Sequence, residues 1–352
     1  VSDDERPASS THAASADAAR GRFRWVRQLI PFLLGLAILI VLYSQIGWAE
    51  LARELRAADP KLFAISLTLF VPQVLVMAWR WKLIGTTACP LGFWKSCRMV
   101  LAGSSLNAIL PSHLGDMCKG LMLSGETEPG IARGLGLAML DKLMDIVGLA
   151  VVLALAGLVA PKPETWVLLF WATTCAAAVV LVVALHWVRP IALRPRRKLT
   201  AALARGLNAA FAVRHRPAAW AGALLLSVLL WGLHVGQIYV FYRAVAGSNP
   251  APVAAVFLRV PIAIFIGLLP ITLAGIGTRD GALVLLIAPQ AVAALVGLFC
   301  TLRYVVMAVL GVPAILSLGP TLMNTLRAAR GRKASTNDAE SHPQPGNRPE
   351  HS

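Results

Sequence analysis

Charge is what this sequence has least of. Asp, Glu, Lys and Arg make up 14% of the 352 residues, against ~25% in a typical soluble domain. With 57% hydrophobic residues, the chain cannot cover its own surface with polar groups, so a soluble globular protein is excluded and lipid must be the solvent. Acids are the rarer sign: between Glu164 and Asp338 there is only Asp280. The five cysteines show no C-x-x-C spacing, which argues against a disulfide scaffold or a zinc site. No G-x-x-x-x-G-K-[ST] loop is present, so no nucleotide-phosphate cradle is expected, and no cofactor or metal is implied. Period-two alternation is missing too. The apolar stretches are long and continuous, which favours helices over a closed barrel.

The predicted fold class is therefore an all-α polytopic membrane protein, with roughly eight spans of ~20 residues. Spans are expected at 29–47, 61–79, 131–159, 164–187, 218–243, 253–272, 281–297 and 299–318. Residues 1–24 and 326–352 read as disordered tails flanking a membrane domain over 25–325. The first apolar run lacks a small-x-small cleavage site and reads as a retained anchor. The net charge of +16 sits in loops and tails, which is the positive-inside pattern rather than a nucleic-acid footprint. Four basic clusters orient the array: the N-terminal arginines, Arg80 with Lys82, Lys95 and Arg98, the acid-free connector 189–216, and Arg327 to Lys333. Both termini are expected in the cytoplasm of a cell with an inner membrane. The connector carries Leu199, Leu203, Leu207 and Phe211 at helical spacing, as in a helix lying on an anionic leaflet. The tryptophans fall mostly near span ends, like an interfacial belt.

Parity forces the stretch 97–124 to enter and leave on the cytoplasmic side, as a re-entrant hairpin broken near Pro111, Gly115 and Asp116. In the second half, 253–272 and 281–297 enter and leave on the outer side. The two apices are alike. One runs from Asn107 through Pro111, Gly115 and Asp116 to Lys119, the other from Pro270 through Gly275, Gly277 and Arg279 to Asp280. Gly/Pro-interrupted segments at corresponding places in two halves point to a midplane site and an inverted-repeat-like architecture. Asp141, Lys142 and Asp145 lie inside an apolar run, with the two acids one turn apart. Charges at this depth each cost ~2.5–3.5 kcal/mol and call for pairing or a watery chamber. Lys119 and Arg279 are the expected partners of Asp141, Asp145 and Asp280. Gly275, Gly277 and Arg279 on one side, with Gly115 and Lys119 on the other, fit an anionic headgroup. The same residues equally fit a role as structural clamps. His234 with Gln237 reads as an interhelical hydrogen bond, and Arg259 and Arg303 as snorkelling side chains.

On these residues the chain resembles the flippase-like transmembrane domain of lysylphosphatidylglycerol synthases, the multiple peptide resistance factor family. Asn107, Pro111, Gly115, Asp116 and Lys119 match its first element. Asp141, Lys142 and Asp145 match the second, and Pro270, Gly275, Gly277, Arg279, Asp280 and Gly281 the third, with Arg303-Tyr304 as the basic-aromatic pair of the last helix. Leu114 and Ala274 stand where glycine is usual, Lys119 replaces Arg and Asp280 replaces Glu. Charge survives these exchanges, but reach and bidentate geometry do not. The resemblance implies a lipid-handling membrane protein, translocating or presenting an anionic or a glycan- or polyprenyl-linked lipid. A membrane-embedded enzyme or accessory subunit in lipid or glycan assembly is the alternative. The similarity covers about residues 25–325 and does not extend to the aminoacyltransferase domain of bifunctional members, so no lysyl transfer is expected. The implied partners are membrane lipids, with a homo-oligomer or a biosynthetic membrane partner possible and no nucleic acid.

Overall fold

The computed structural model describes residues 30–110, 114–124, 130–159, 164–187, 216–247, 251–269, 271–272 and 275–341. Among these, helices account for the regular structure and no strand occurs. The chain opens with α1 (Ile30–Ile46), which turns by 84° at Gly47 into α2 (Trp48–Ala57). Gly47 has φ 91°, a left-handed conformation that ends α1 sharply. Only Leu51 of α2 is buried, so this arm presents Glu50, Arg53, Glu54 and Arg56 outward. Asp59 then caps α3 (Pro60–Thr68), its side chain accepting from the Lys61 and Leu62 amides at 2.8 and 3.2 Å. Pro60 at the first helical position costs nothing, because that N–H has no intrahelical partner. α3 continues through Leu69 into α4 (Phe70–Gly85).

Next come α5 (Phe93–Ile109), α6 (Leu114–Ser124), α7 (Gly130–Val159) and α8 (Thr165–Trp187). The second half holds α9 (Pro217–Ala246), α10 (Val253–Leu268), α11 (Thr278–Leu286), α12 (Gln290–Leu310) and α13 (Val312–Ser341). By length and composition, Pro60–Gly85, α7, α9 and α12 can each cross a membrane, and the bent α1–α2 pair can make a fifth span. Two shorter apolar helices, Thr165–Val180 and α10, accompany them. Among the described residues, four or five spans thus qualify by length and apolarity.

Several boundaries differ from the sequence reading. The helices expected at 281–297 and 299–318 are instead α11, α12 and α13. Pro289 supplies the break: Ile287 is extended at φ −123°, ψ 123°, and Pro289 caps α12. Gly297, the last residue of the span expected at 281–297, lies inside α12, where Asp280 packs on it; a Cβ there would come within 2.9 Å of the Asp280 carboxylate. Gly311 ends α12, and α13 runs to Ser341, beyond residue 325 where a tail was expected. α4 extends past residue 79 to Gly85, carrying Arg80 within it. The connector 189–215, the N-terminal arginines, Pro111, His113 and Pro270 lie outside the described residues.

Two apolar clusters hold the bundle. One joins α7, α9, α10, α11 and α12 around Val235, Phe241, Val260, Leu283 and Ala293. The other joins α4, α5, α6 and α7 around Ala78, Trp81, Ile84, Val100, Leu123 and Leu137. Trp81 is fully buried with its indole against the Met99 sulfur at 3.4 Å, so it belongs to the core rather than to an interfacial belt. Polar links tie α3, α4 and α9 together: the Gln237 amide donates to the Ser66 carbonyl at 2.7 Å, and Gln73 donates to Gln237 at 3.0 Å. Such links are worth ~1 kcal/mol each between membrane helices.

Candidate functional site

Each half of the bundle contains two short helices meeting at a break, followed by a long one. In the first half, α5 and α6 approach at glycine. A Cβ on Gly103 would lie 3.2 Å from the Gly115 carbonyl oxygen and from the Lys119 stem. Asn107 accepts the Asp116 amide at 3.1 Å, satisfying a donor at the start of α6 that has no intrahelical partner. In the second half, a Cβ on Gly267 would lie 2.8 Å from the Arg279 Cβ. Gly275 and Gly277, at φ 73° and 91°, carry the chain through the break into α11. There Asp280 accepts the Gly277 amide at 3.1 Å.

On α7, Asp141 and Asp145 share one face, as their spacing requires. That face meets Arg80, whose guanidinium lies 2.8 Å from Asp141 and 2.6 Å from Asp145 and also donates to Ser227 at 2.9 Å. Lys119 lies 2.7 Å from Asp141 and 3.6 Å from Asp116. Lys142 closes the ring, paired with Asp116 and, at 3.4 Å, with Asp145. Arg80, Lys119 and Lys142 thus alternate with Asp116, Asp141 and Asp145 across α4, α6 and α7. Arg80 and Asp141 are each only 1% exposed. Buried ions are costly unless their charges are paired, and this ring pairs every cation with a carboxylate.

A smaller charged cluster lies at α11. Arg279 donates to its neighbour Asp280 at 3.0 and 2.7 Å, to Thr301 at 3.2 Å and to the Gly297 carbonyl at 3.4 Å. Its guanidinium sits 5.4 Å from the Tyr304 ring centroid, and Arg303 sits 4.4 Å from the same ring.

Between these clusters lies a cavity of about 720 Å³. Asn107, Asp116, Lys142, Asp145, Gln73, His234 and Arg303 supply its polar wall, and Phe32, Leu230, Leu268, Ile276, Val309 and Val312 its apolar one. Both broken segments reach it, one through Asn107 and Asp116 and the other through Leu268 and Ile276. A chamber of this size, mostly apolar with a few convergent charges, is the form of a small-molecule or lipid site.

The family model described as Lysylphosphatidylglycerol synthase TM region matches residues 28–314 of the chain. The protein belongs to this family. No curated protein matches the chain. The chain is thus a multi-pass membrane protein tied to lipid handling through the lysylphosphatidylglycerol synthase TM family.

Within this family member, the residues singled out in the sequence divide into two sets. Asn107, Asp116 and Asp145 line the cavity. Gly115, Lys119, Asp141, Gly275, Gly277, Arg279 and Asp280 are buried behind it, in the ring or at the α11 break. The cations on the cavity wall are Lys142 and Arg303, not Lys119 and Arg279. Arg80 is the residue the sequence reading misplaced, since it looked like a cytoplasmic loop charge. Its spacing of seven from Gln73 was the available signal: two helical turns put both polar groups on one face of an otherwise apolar helix. Arg303 does not snorkel; it turns inward and donates to Gln73 on α4 at 3.1 Å. Arg259 reaches Glu164 at 2.7 Å, joining the start of α8 to α10.

Proposed function

We propose that this protein moves or presents a lipid across the inner membrane, holding the headgroup in the cavity between the two broken helix pairs. The carrying observation is that one chamber combines a charged wall, an apolar wall and contributions from both breaks. In this reading the two pairs dip into the bilayer from opposite faces as an inverted repeat, giving roughly eight passes in all. The basic clusters, without the buried Arg80, and both termini face the cytoplasm. The substrate is a lipid with an anionic headgroup, or one linked to a glycan or polyprenyl chain. Homo-oligomers or a biosynthetic membrane partner are compatible with this role.

A carrier is favoured over a membrane-embedded enzyme by the state of the acids. Asp116, Asp141 and Asp145 are each engaged by a lysine or arginine, whereas general acid–base chemistry needs a group positioned to exchange a proton with substrate. The test is the rate at which labelled lipids change leaflet in vesicles containing the purified protein. Transfer of an unmodified lipid above the rate of protein-free vesicles is the expected result. Rates equal to protein-free vesicles for phosphatidylglycerol, phosphatidylethanolamine and polyprenyl phosphate, or a chemically altered lipid after incubation, would remove the carrier reading.

A further inference from the structure

The charges around the cavity do not all cancel. Arg80, Lys119 and Lys142 are matched by Asp116, Asp141 and Asp145, and Arg279 is matched by Asp280. Arg303 is left over. It forms no ion pair with any described residue, yet it is 4% exposed and lies within α12 on the cavity wall. Its contacts are neutral: the Gln73 carbonyl oxygen at 3.1 Å, the Met307 sulfur at 3.6 Å and the Tyr304 ring. A guanidinium buried without an acid is costly, because neutral acceptors replace only part of its lost hydration.

The neutral partners are themselves held in place. Gln73 donates to Gln237 at 3.0 Å, and Gln237 donates to the Ser66 carbonyl at 2.7 Å. His234 Nδ1 lies 3.4 Å from the Gln73 oxygen that Arg303 uses. These contacts fix the amide that aims the guanidinium, so its orientation is set before any ligand binds. Lys142 faces the same chamber but is already engaged by two carboxylates. The unbalanced positive potential is therefore concentrated at Arg303.

We propose that Arg303 anchors one negative charge in the cavity, carried by an oxyanion of the phosphodiester type. The planar fork of the guanidinium suits two oxygens of one phosphate better than an ammonium would. A single leftover cation selects a ligand of net charge minus one over a zwitterionic headgroup. That the oxyanion belongs to a lipid headgroup rests on the lipid-handling reading above; the anion site itself does not.

The test compares heat unfolding of the purified protein with added phosphatidylglycerol, phosphatidylcholine or sodium phosphate, alongside titrated binding of each. Phosphatidylglycerol is expected to raise the melting temperature of the wild type more than phosphatidylcholine does. Arg303→Gln should weaken phosphatidylglycerol binding by about 10- to 100-fold, the range for a lost charge-assisted hydrogen bond, and phosphatidylcholine binding by less, so that the preference between the two is lost. Arg303→Lys, which keeps the charge but not the fork, should retain a preference weaker than that of the wild type. If sodium phosphate alone stabilises the protein in an Arg303-dependent way and phosphatidylglycerol does not, the oxyanion site stands with a free ion as its ligand. A wild type with no preference for either anion over phosphatidylcholine overturns the proposal, and so does a preference that survives Arg303→Gln. The wild-type and Arg303→Lys arms decide the matter even where Arg303→Gln fails to fold. Leaflet exchange without an anion preference would sink the Arg303 site alone, and an anion preference without exchange would sink only the carrier reading.

Discussion

Asp141 has Arg80 at 2.8 Å on one side and Lys119 at 2.7 Å on the other. Removing its charge leaves two buried cations sharing Asp145 and Asp116. Asp141→Asn is expected to destabilise the protein by about 3–5 kcal/mol, the usual cost of breaking a buried ion pair from one side, as measured by unfolding in detergent. Substituting Lys119→Met together with Asp141→Leu should cost less than the sum of the two single changes, because the pair leaves together. Additive losses would mean that Lys119 and Asp141 do not depend on each other. Arg80 illustrates what one sequence can and cannot disclose at this scale. Asp141, Lys142 and Asp145 stood out because apolar residues surround them in the chain. Arg80 ends an apolar run and is followed closely by Lys82, so it resembled a loop charge. Its partners Asp145 and Ser227 lie 65 and 147 residues away, where only the tertiary fold brings them.

Helices reveal a related limit. The long apolar runs of α7 and α9 were legible because continuous hydrophobicity over that length has no other stable solution in lipid. The ends of α11 and α12 were not. The expected boundary at residues 297–299 falls inside α12, where Gly297 serves as a flat seat for Asp280, while Pro289, which does break the helix, lies within the expected span 281–297. A glycine that permits close packing and a glycine that ends a helix read the same in one dimension. They differ in energy when tested. Gly275→Ala puts a Cβ 3.0 Å from the Gly267 Cα in a backbone with φ 73°, so a loss of about 2 kcal/mol or more is expected from the left-handed conformation and the overlap together. Gly236, in α9, has nothing within 4 Å of the corresponding position. Gly236→Ala should therefore stabilise by roughly 0.5–1 kcal/mol through helix propensity alone. Equal melting temperatures for the two variants would show that the α10–α11 break is not held by this contact.

For the molecule as a whole, the proposed carrier role requires the chamber between the halves to be available. Ala108 lines it and is exposed within it, so Ala108→Trp should fill space without opening a cavity or stranding a charge. Lipid exchange is expected to fall by about tenfold or more, equivalent to at least about 1.4 kcal/mol on the barrier, with the melting temperature close to wild type. Undiminished exchange in a folded Ala108→Trp protein would place the lipid path elsewhere. The architecture was legible to the extent that two Gly-bearing breaks with nearby charges were expected, and both reach one chamber. The identity of the cavity's own cations was not, because sequence spacing cannot tell which of several buried arginines has already found its acid.

The balance of the α4–α6–α7 ring also has an electrical consequence. A transmembrane voltage does work of ~2.3 kcal/mol per elementary charge per 100 mV, and three cations set against three carboxylates present no net charge to that field. In the proposed carrier, moving this ring through the field would therefore do no net-charge work. Exchange of a zwitterionic lipid should then gain no voltage dependence from this ring when a diffusion potential is imposed on sealed vesicles, whereas Arg303, which has no acid among the described residues, would respond to it.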